Sequence, residues 1–137
     1  KVLVDLNGDG VIDGGDKDLD LPRAADLTYT VGLNHDLELG SWGFLGSRIS
    51  YSYRDESAYT DNNLGFINEQ NRLDAGLDFY SNDGHWVFSV YGRNLLDEVL
   101  NGNDTQLPDT LSGVPLGGTF APLSKGRRIG LEVTYNL

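Results

Sequence analysis

The feature that most constrains the fold is the strict apolar–polar alternation of residues 127–137, R-R-I-G-L-E-V-T-Y-N-L. Its apolar side chains are those of Ile129, Leu131, Val133, Tyr135 and Leu137, with glycine or polar residues between them. Because successive side chains of a β-strand point to opposite faces, this stretch predicts a strand with one apolar and one polar face. Such a strand can cover a soluble core or face lipid, so the other strands must decide between the two.

Four further stretches repeat the pattern, and together they predict strands at residues 26–39, 45–56, 68–80, 86–96 and 127–137. Apolar side chains hold odd positions in the first three strands, but in the fourth they hold even ones, at Trp86, Phe88 and Val90. The parity changes across Asn82-Asp83-Gly84, which is typical of a tight hairpin. A two-residue hairpin loop pairs odd positions with even ones, so turn chemistry and face patterning agree.

The connections between the predicted strands alternate in length. Those after the first and third strands are short, whereas those before the first and after the second and fourth are long and polar. Outer-membrane β-barrels combine short periplasmic turns and long external loops with strands that alternate between lipid and lumen. Aromatic residues also fall near both strand ends, as two interfacial girdles require. They are Trp42, Phe44, Phe79 and Trp86 at the short turns, and Tyr29 and Tyr53 at the other end.

We therefore predict an all-β fold, an antiparallel transmembrane β-barrel segment made of the last five to six strands of a larger barrel. Even small barrels need about eight strands, so residues 1–137 are expected to form the C-terminal part of one β-barrel domain. The absence of a signal peptide and a first residue other than methionine also suggest an excised segment. The alternative is a secreted β-sandwich whose core is the apolar face.

Composition excludes several classes of function. A net charge of -11 and a pI of about 4.3 argue against nucleic-acid binding. There is no cysteine, the two histidines are isolated and the serines have no catalytic partners, so we expect no enzyme. The polar faces carry Arg48, Arg54, Arg72, Asp74, Asp78 and Arg93. These are expected to pair across strands as lumen charges, with substrate contact as the alternative.

Residues 5–16, D-L-N-G-D-G-V-I-D-G-G-D, carry the most specific chemistry in the chain. They resemble the calcium loop of EF-hands and, more closely, of dockerin repeats, with Gly10 at the sharp turn. Ligand positions 1, 3, 5, 7, 9 and 12 of such loops fall on Asp5, Asn7, Asp9, the Val11 carbonyl, Asp13 (directly or through water) and Asp16. Asp16 stands where a bidentate glutamate is usual. The alternative is a solvated acidic turn that binds no ion.

A second resemblance covers most of the chain. The stretch W-V-F-S-V-Y-G-R-N-L-L-D-E at residues 86–98, followed by a long loop and G-R-R-I-G-L-E-V-T-Y-N-L, resembles the C-terminal end of TonB-dependent outer-membrane receptors. Residues 53–63, Y-R-D-E-S-A-Y-T-D-N-N, and the D-x-N-G-D-G-x-I loop before P-R-A-x-D-x-T-Y are similar to loops of that family. One departure is Leu137, which stands where an aromatic residue is common.

This resemblance implies energy-coupled import of a scarce nutrient such as an iron chelate, vitamin or sugar. It implies a barrel of about 22 strands with an internal plug, in the bacterial outer membrane, with extracellular loops and a periplasmic C-terminus. The implied partners are the rest of the barrel and its plug, an inner-membrane energy-coupling complex acting through the plug, outer-membrane lipid and a small-molecule substrate. The alternatives are a passive porin and a secreted calcium-binding β-sandwich that serves as an adhesion or sugar-binding module.

Overall fold

The computed structural model describes residues 4–8, 10–63, 65–99 and 122–137, together with the backbone of four two-residue strands between residues 105 and 120. The described residues are mostly antiparallel β-sheet, and their helices are two short 3-10 turns at Gly15–Lys17 and Gly40–Trp42. The all-β prediction is therefore confirmed. Within this described part, no helix has the length and apolar character needed to cross a membrane.

Five long strands and six very short ones make up the β structure of the described residues. The long strands are β1 (Thr28–Glu38), β2 (Gly43–Arg54), β5 (Gln70–Ser81), β6 (Trp86–Arg93) and β11 (Arg128–Tyr135). The short strands are β3 (Ser57–Ala58), β4 (Phe66–Ile67), β7 (Thr105–Gln106), β8 (Thr110–Leu111), β9 (Val114–Pro115) and β10 (Thr119–Phe120).

The chain divides into two compact units. We call Thr28–Arg54, Gln70–Glu98 and Lys125–Leu137 the sheet unit, and Lys1–Leu27, Asp55–Glu69 and Val99–Ser124 the loop unit. The sheet unit holds one antiparallel sheet in the order β1-β2-β5-β6-β11, so each long strand pairs with the next long strand along the chain. The ladders between these strands lie entirely within the sheet unit.

The register places the alternating residues of all five strands on common faces. Residues directly opposite one another share a face, and one such row runs Leu37, Leu45, Phe79, Phe88 and Val133. The turn between β5 and β6 comprises residues 82–85, so it is four residues long instead of the expected two. Both lengths are even, so the predicted parity change holds, with Tyr80 opposite Val87 and Phe79 opposite Phe88.

One strand end, that of β6, differs from the prediction by more than the usual fraying of one or two residues. β6 ends at Arg93 instead of residue 96, because Asn94 takes a left-handed φ of 52° and donates its N–H to Asp74 Oδ1. β2 runs Gly43–Arg54 instead of 45–56. Gly43 extends its start by taking a φ of 130°, beside an Asn82 N–H bond to the Trp42 carbonyl.

The loop unit contains a small apolar centre that the sequence did not reveal. Residues 57–66 were expected to be a polar loop, but β3 pairs with β4, and Ala58, Tyr59 and Ile67 are buried. Asn63 joins this part of the unit to the segment around Asp20. Its side chain accepts a hydrogen bond from the Asp20 N–H at 2.7 Å and donates one to the Asp20 carbonyl at 3.0 Å. Among the described residues these three are the buried hydrophobic side chains, so none belongs to the sheet unit.

Candidate functional site

One face of the sheet is apolar across all five strands, and it is exposed. We call it the apolar face; its central rows consist of Leu33, Ile49, Ala75, Gly92 and Ile129, and of His35, Ser47, Leu77, Val90 and Leu131. Ile129 is 72% exposed and Leu131 is 79% exposed. Leu95 lies over Gly92, but no hydrophobic side chain of the sheet unit is buried.

Aromatic side chains lie at both ends of this face. At the end with the short turns, Trp86 packs 4.7 Å from Tyr135 and 5.8 Å from Phe88, measured between ring centroids. At the end with the long connections, Tyr29 stacks on Tyr53 at 5.3 Å. The register places these pairs at opposite ends of their rows, so the aliphatic side chains form a band between two aromatic clusters.

On the opposite face, which we call the polar face, basic and acidic side chains are concentrated at different ends of the strands. The half nearest the long connections holds Arg48, Arg54, Arg72, Arg93 and Arg128, with Asp74 as its one acidic residue. The half nearest the short turns holds Asp36, Glu38, Asp78 and Glu132. An electrostatic gradient therefore runs along this face from one end of the strands to the other.

The charges were expected to pair across strands, and they do so only in part. Arg48 on β2 pairs with Asp78 on β5, which is the expected kind of contact. Arg72 pairs instead with Asp74 two residues along its own strand, at 2.9 Å between Nη2 and Oδ2. Arg93 lies 5.7 Å from the centroid of the Tyr91 ring. A cavity of about 530 Å³ on the polar face is lined by charged and polar side chains, among them those of Asn34, Arg48, Arg72, Asp74, Tyr91, Arg93 and Glu132.

The start of the long connection after β6 is fixed by a set of bonds that the sequence did not predict. The side-chain amide of Asn94 donates to the Glu98 carbonyl at 2.7 Å, and its oxygen accepts the Glu98 N–H at 3.1 Å. The Glu98 carboxylate in turn accepts the Asn71 N–H at 2.7 Å. Asp97 accepts the Arg127 N–H at 2.7 Å, which ties this corner to the approach to β11. The N-L-L-D-E stretch is thus a structural corner of the sheet unit.

The acidic loop at residues 5–16 folds around its own backbone. Asp5 accepts the N–H groups of Gly8 at 2.8 Å and of Gly10 at 2.9 Å. Asp16, which is 3% exposed, accepts the N–H groups of Leu6 at 2.7 Å and of Asp13 at 2.9 Å. These bonds bring the first and last predicted ligand positions to neighbouring points of one turn.

The predicted ligands between them are brought together only in part. A Cβ atom placed on Gly15 would lie 3.1 Å from Asp13 Oδ1 and 3.4 Å from Asn7 Nδ2, so both side chains approach the same point. The side chain of Val11 is exposed, and Asp9 lies outside the described residues. Across the described part of the chain, no three histidine, cysteine or acidic side chains converge as a metal-binding group. The oxygen donors suit calcium chemically, but in this conformation they accept backbone N–H groups.

The same bonds set the protonation of the loop. Hydrogen bonds from the N–H of Asp13, and then from Leu6 and Asn7, lower the pKa of the Asp16 carboxyl, while burial opposes them. Asp16 therefore stays ionised at neutral pH, which is the state required of a calcium ligand.

Comparisons with protein-family models, with curated proteins and with solved structures find no match to this chain. The features of the molecule that bear on its function are the two faces of the sheet and the acidic loop.

Proposed function

We propose that the sheet unit is part of the wall of an antiparallel transmembrane β-barrel in the bacterial outer membrane. The observation that carries this proposal is the exposed apolar face, which is continuous across all five long strands. Soluble proteins rarely expose contiguous apolar patches of more than a few hundred Å². A lipid phase would cover this face without a second layer of protein, and the polar face would line the lumen.

The dimensions of the apolar face support the same proposal. Its aromatic ends lie ten residues apart along β2, between the rows of Tyr53 and Gly43. Ten residues span about 34 Å at about 3.4 Å per residue, or about 26 Å across a membrane at a tilt of about 40°. Outer-membrane barrels carry an apolar band about 25 Å tall between aromatic girdles.

Backbone pairing is also compatible with a lipid environment. β2 is paired along both edges over nearly its whole length, and β5 and β6 pair with each other from Ala75 to Tyr80 and from Val87 to Gly92, so the N–H and C=O groups there are bonded within the sheet. Unpaired backbone groups in lipid cost several kcal/mol each. β1 and β11 are the edges of the described sheet, and in a closed barrel each would pair with a further strand.

We further propose that the complete protein is a receptor of the TonB-dependent kind that imports a scarce nutrient by energy coupling. The support is the resemblance of residues 86–98 and 126–137 to the C-terminal end of that family. In such a receptor the long connections would be extracellular and the short turns and C-terminus periplasmic. The remaining strands, a plug and the inner-membrane energy-coupling complex would be its partners, and the chain itself would carry no catalytic role.

Calcium binding by the acidic loop is part of the proposal. Asp5, Asn7, Asp9, Asp13, Asp16 and the Val11 carbonyl would hold the ion outside the cell. The buried, ionised Asp16 beside the turn that follows Asp5 supports it. Binding would not require the carboxylates to give up all of their backbone hydrogen bonds, since each oxygen keeps a second lone pair for the ion.

Lipid exposure can be tested with adjacent residues of β6. Val90 lies on the apolar face opposite Leu77 and Leu131, whereas Ser89 lies on the polar face opposite Asp78 and Glu132. The complete protein would carry either Val90→Cys or Ser89→Cys, labelled with a nitroxide in lipid vesicles. We expect the label at position 90 to collide with lipid-soluble oxygen, and the label at position 89 to collide with a water-soluble nickel chelate.

The alternatives give different results in the same measurement. In a secreted β-sandwich, position 90 would be shielded from both reagents and the protein would purify without detergent. A passive porin would give the lipid pattern, but the complete protein would contain no plug. A shielded label at position 90 would therefore overturn the barrel proposal, and a barrel without a plug would overturn the receptor proposal.

A further inference from the structure

The polar face holds two neighbouring arginines whose charges are at most partly offset, because Asp74 lies near enough to Arg93 to interact with its charge but makes its direct contact with Arg72. Arg93 on β6 and Arg128 on β11 are direct cross-strand partners, and neither forms an ion pair within the described part of the chain. Opposite residues on one face have Cβ atoms about 4.5–5.5 Å apart, and like charges there are destabilising. Both side chains are exposed.

The one acidic side chain nearby is already engaged. Asp74 accepts Nε of Arg72 at 3.1 Å and the Asn94 N–H at 2.8 Å through the same oxygen, and its other oxygen lies 2.9 Å from Arg72 Nη2. Arg72 thus takes the carboxylate in a two-point contact. Glu132 is on the same strand as Arg128 but four residues away, toward the short turns, which separates the two by about 13 Å.

We propose that Arg93 and Arg128 bind an anionic group of a small solute at the basic end of the polar face. Guanidinium groups present a planar fork of donors that matches carboxylate and phosphate oxygens. An anion between the two would relieve their repulsion and accept hydrogen bonds from both. Arg93 also borders the cavity of about 530 Å³, which leaves room for the rest of the solute beside Tyr91 and Asn34.

The separation of charge along the polar face favours the same class of ligand. The basic half lies toward the long connections, and the acidic half lies toward the short turns. A field of this form attracts anions to the end with the long connections and raises their local concentration there. The inference rests on the proposed function, in which this end opens to the exterior and the polar face lines the lumen.

The test is calorimetric titration of the complete protein, in a non-ionic detergent, with citrate, with inorganic phosphate and with the neutral methyl glucoside. We expect citrate or phosphate to bind and methyl glucoside not to compete. Arg93→Gln and Arg128→Gln should each weaken binding of the anion at least tenfold, since each removes one charge-assisted contact. Arg93→Lys keeps the charge but loses the fork, so it should fall between Arg93→Gln and the unmodified protein.

Arg127→Gln is the matched control, because it removes the same charge one residue away, where the side chain contacts Asp97 and not the polar face. It should leave the affinity unchanged. Equal losses in Arg127→Gln and Arg128→Gln, flat isotherms for both anions, or glucoside binding that depends on Arg93 would each overturn the proposal. Barrel assembly, read as a heat-modifiable band on a gel, distinguishes these outcomes from failure of the proposed function.

Discussion

Tyr91 and Gly130 show how single residues set the packing of the polar face. They are direct cross-strand partners, and a Cβ atom on Gly130 would lie 2.4 Å from Tyr91 Cζ and 2.5 Å from its hydroxyl. The tyrosine ring therefore lies over the bare backbone of Gly130. Arg48 lies over Gly76 in the same way, with its guanidinium carbon 2.8 Å from the position of a Cβ atom.

Gly130→Ala should lower the free energy of unfolding by about 1 kcal/mol, because the Tyr91 ring must shift to make room for the methyl group. Gly32→Ala is the control on the same face, where the nearest atom to a Cβ lies 3.7 Å away. It should raise the free energy of unfolding by about 0.5 kcal/mol by restricting the unfolded chain. Urea unfolding of the complete protein measures both, and equal shifts for the two variants would contradict the role of Tyr91.

Asp83 is a second residue whose state depends on close contacts. A hydrogen bond from the Ser81 hydroxyl and another from the His85 N–H lower the pKa of its carboxyl, against a small opposing effect of burial. Because the folded pKa lies below the unfolded one, the stabilisation is complete above about pH 4 and is lost as the pH falls through the folded value.

Ser81→Ala should therefore raise the pKa of Asp83 toward the ordinary value for aspartate, as read by NMR of carbonyl-labelled aspartate between pH 2 and 6. Ser89→Ala removes a hydroxyl from the polar face away from this turn, and should leave the titration unchanged. An unaltered pKa in the Ser81→Ala variant would mean that the hydroxyl does not hold the carboxylate.

At the scale of elements, the sequence predicted which stretches form the long strands and which residues share a face, but it did not predict where β6 ends. Alternation fixed the five long strands, and the parity change at the Asn82-Asp83-Gly84 turn fixed which residues face together. The end of β6 was not visible, because Leu95 and Leu96 prolong an apolar pattern that the left-handed Asn94 interrupts. The pairing of Arg93 with Arg128 could not be predicted either. Alternation fixes the face on which a residue lies, but a shift of two residues in the strand register leaves every residue on the same face.

Asn94 is the residue that ends β6, and its replacement tests that role. Asn94 is 6% exposed, takes a left-handed φ and bonds to Glu98 through both side-chain atoms. Asn94→Ala should lower the free energy of unfolding by about 2–3 kcal/mol, from lost bonds and from a strained φ. Asn94→Gly loses the bonds but tolerates the φ, so it should cost about 1 kcal/mol less.

Both effects can be measured by urea unfolding, with hydrogen exchange at the Glu98 amide as a local readout. Asn34→Ala, on an exposed position of β1, is the control and should change the stability by less than about 0.5 kcal/mol. Identical losses for Asn94→Ala and Asn94→Gly would show that the left-handed backbone makes no contribution.

At the scale of the molecule, the two units differ in how far the sequence reveals them. In the sheet unit, apolar and polar residues alternate along all five long strands. This pattern can be recognised even where a single residue departs from it. The loop unit is built from two-residue ladders and side-chain bonds such as the Asp20–Asn63 pair, which have no period to detect. The spacing of acids in residues 5–16 predicted ligands, but the N–H groups that Asp5 and Asp16 accept could be found only from the folded loop.

The proposal that the acidic loop binds calcium can be tested with two matched double variants. Asp5→Ala/Asp9→Ala removes two proposed ligands, whereas Asp18→Ala/Asp20→Ala removes the same charge just outside the loop. Calorimetric titration of the complete protein should show calcium binding at about 0.1–1 mM, a range suited to an extracellular site. The first variant should lose this binding and the second should keep it; indistinguishable calcium isotherms for the two would mean that the loop is an acidic turn held by its own N–H groups.

Removing calcium should open residues 5–20 to proteolysis, because the mutual repulsion of the aspartates is then no longer offset by the ion. The heat-modifiable band of the barrel should persist, since the ladders that join the long strands lie within the sheet unit. Asp18→Ala/Asp20→Ala should show the same calcium-dependent protection, whereas Asp5→Ala/Asp9→Ala should be cleaved with or without the ion. Loss of the folded band on chelation would instead mean that the ion supports the strands themselves.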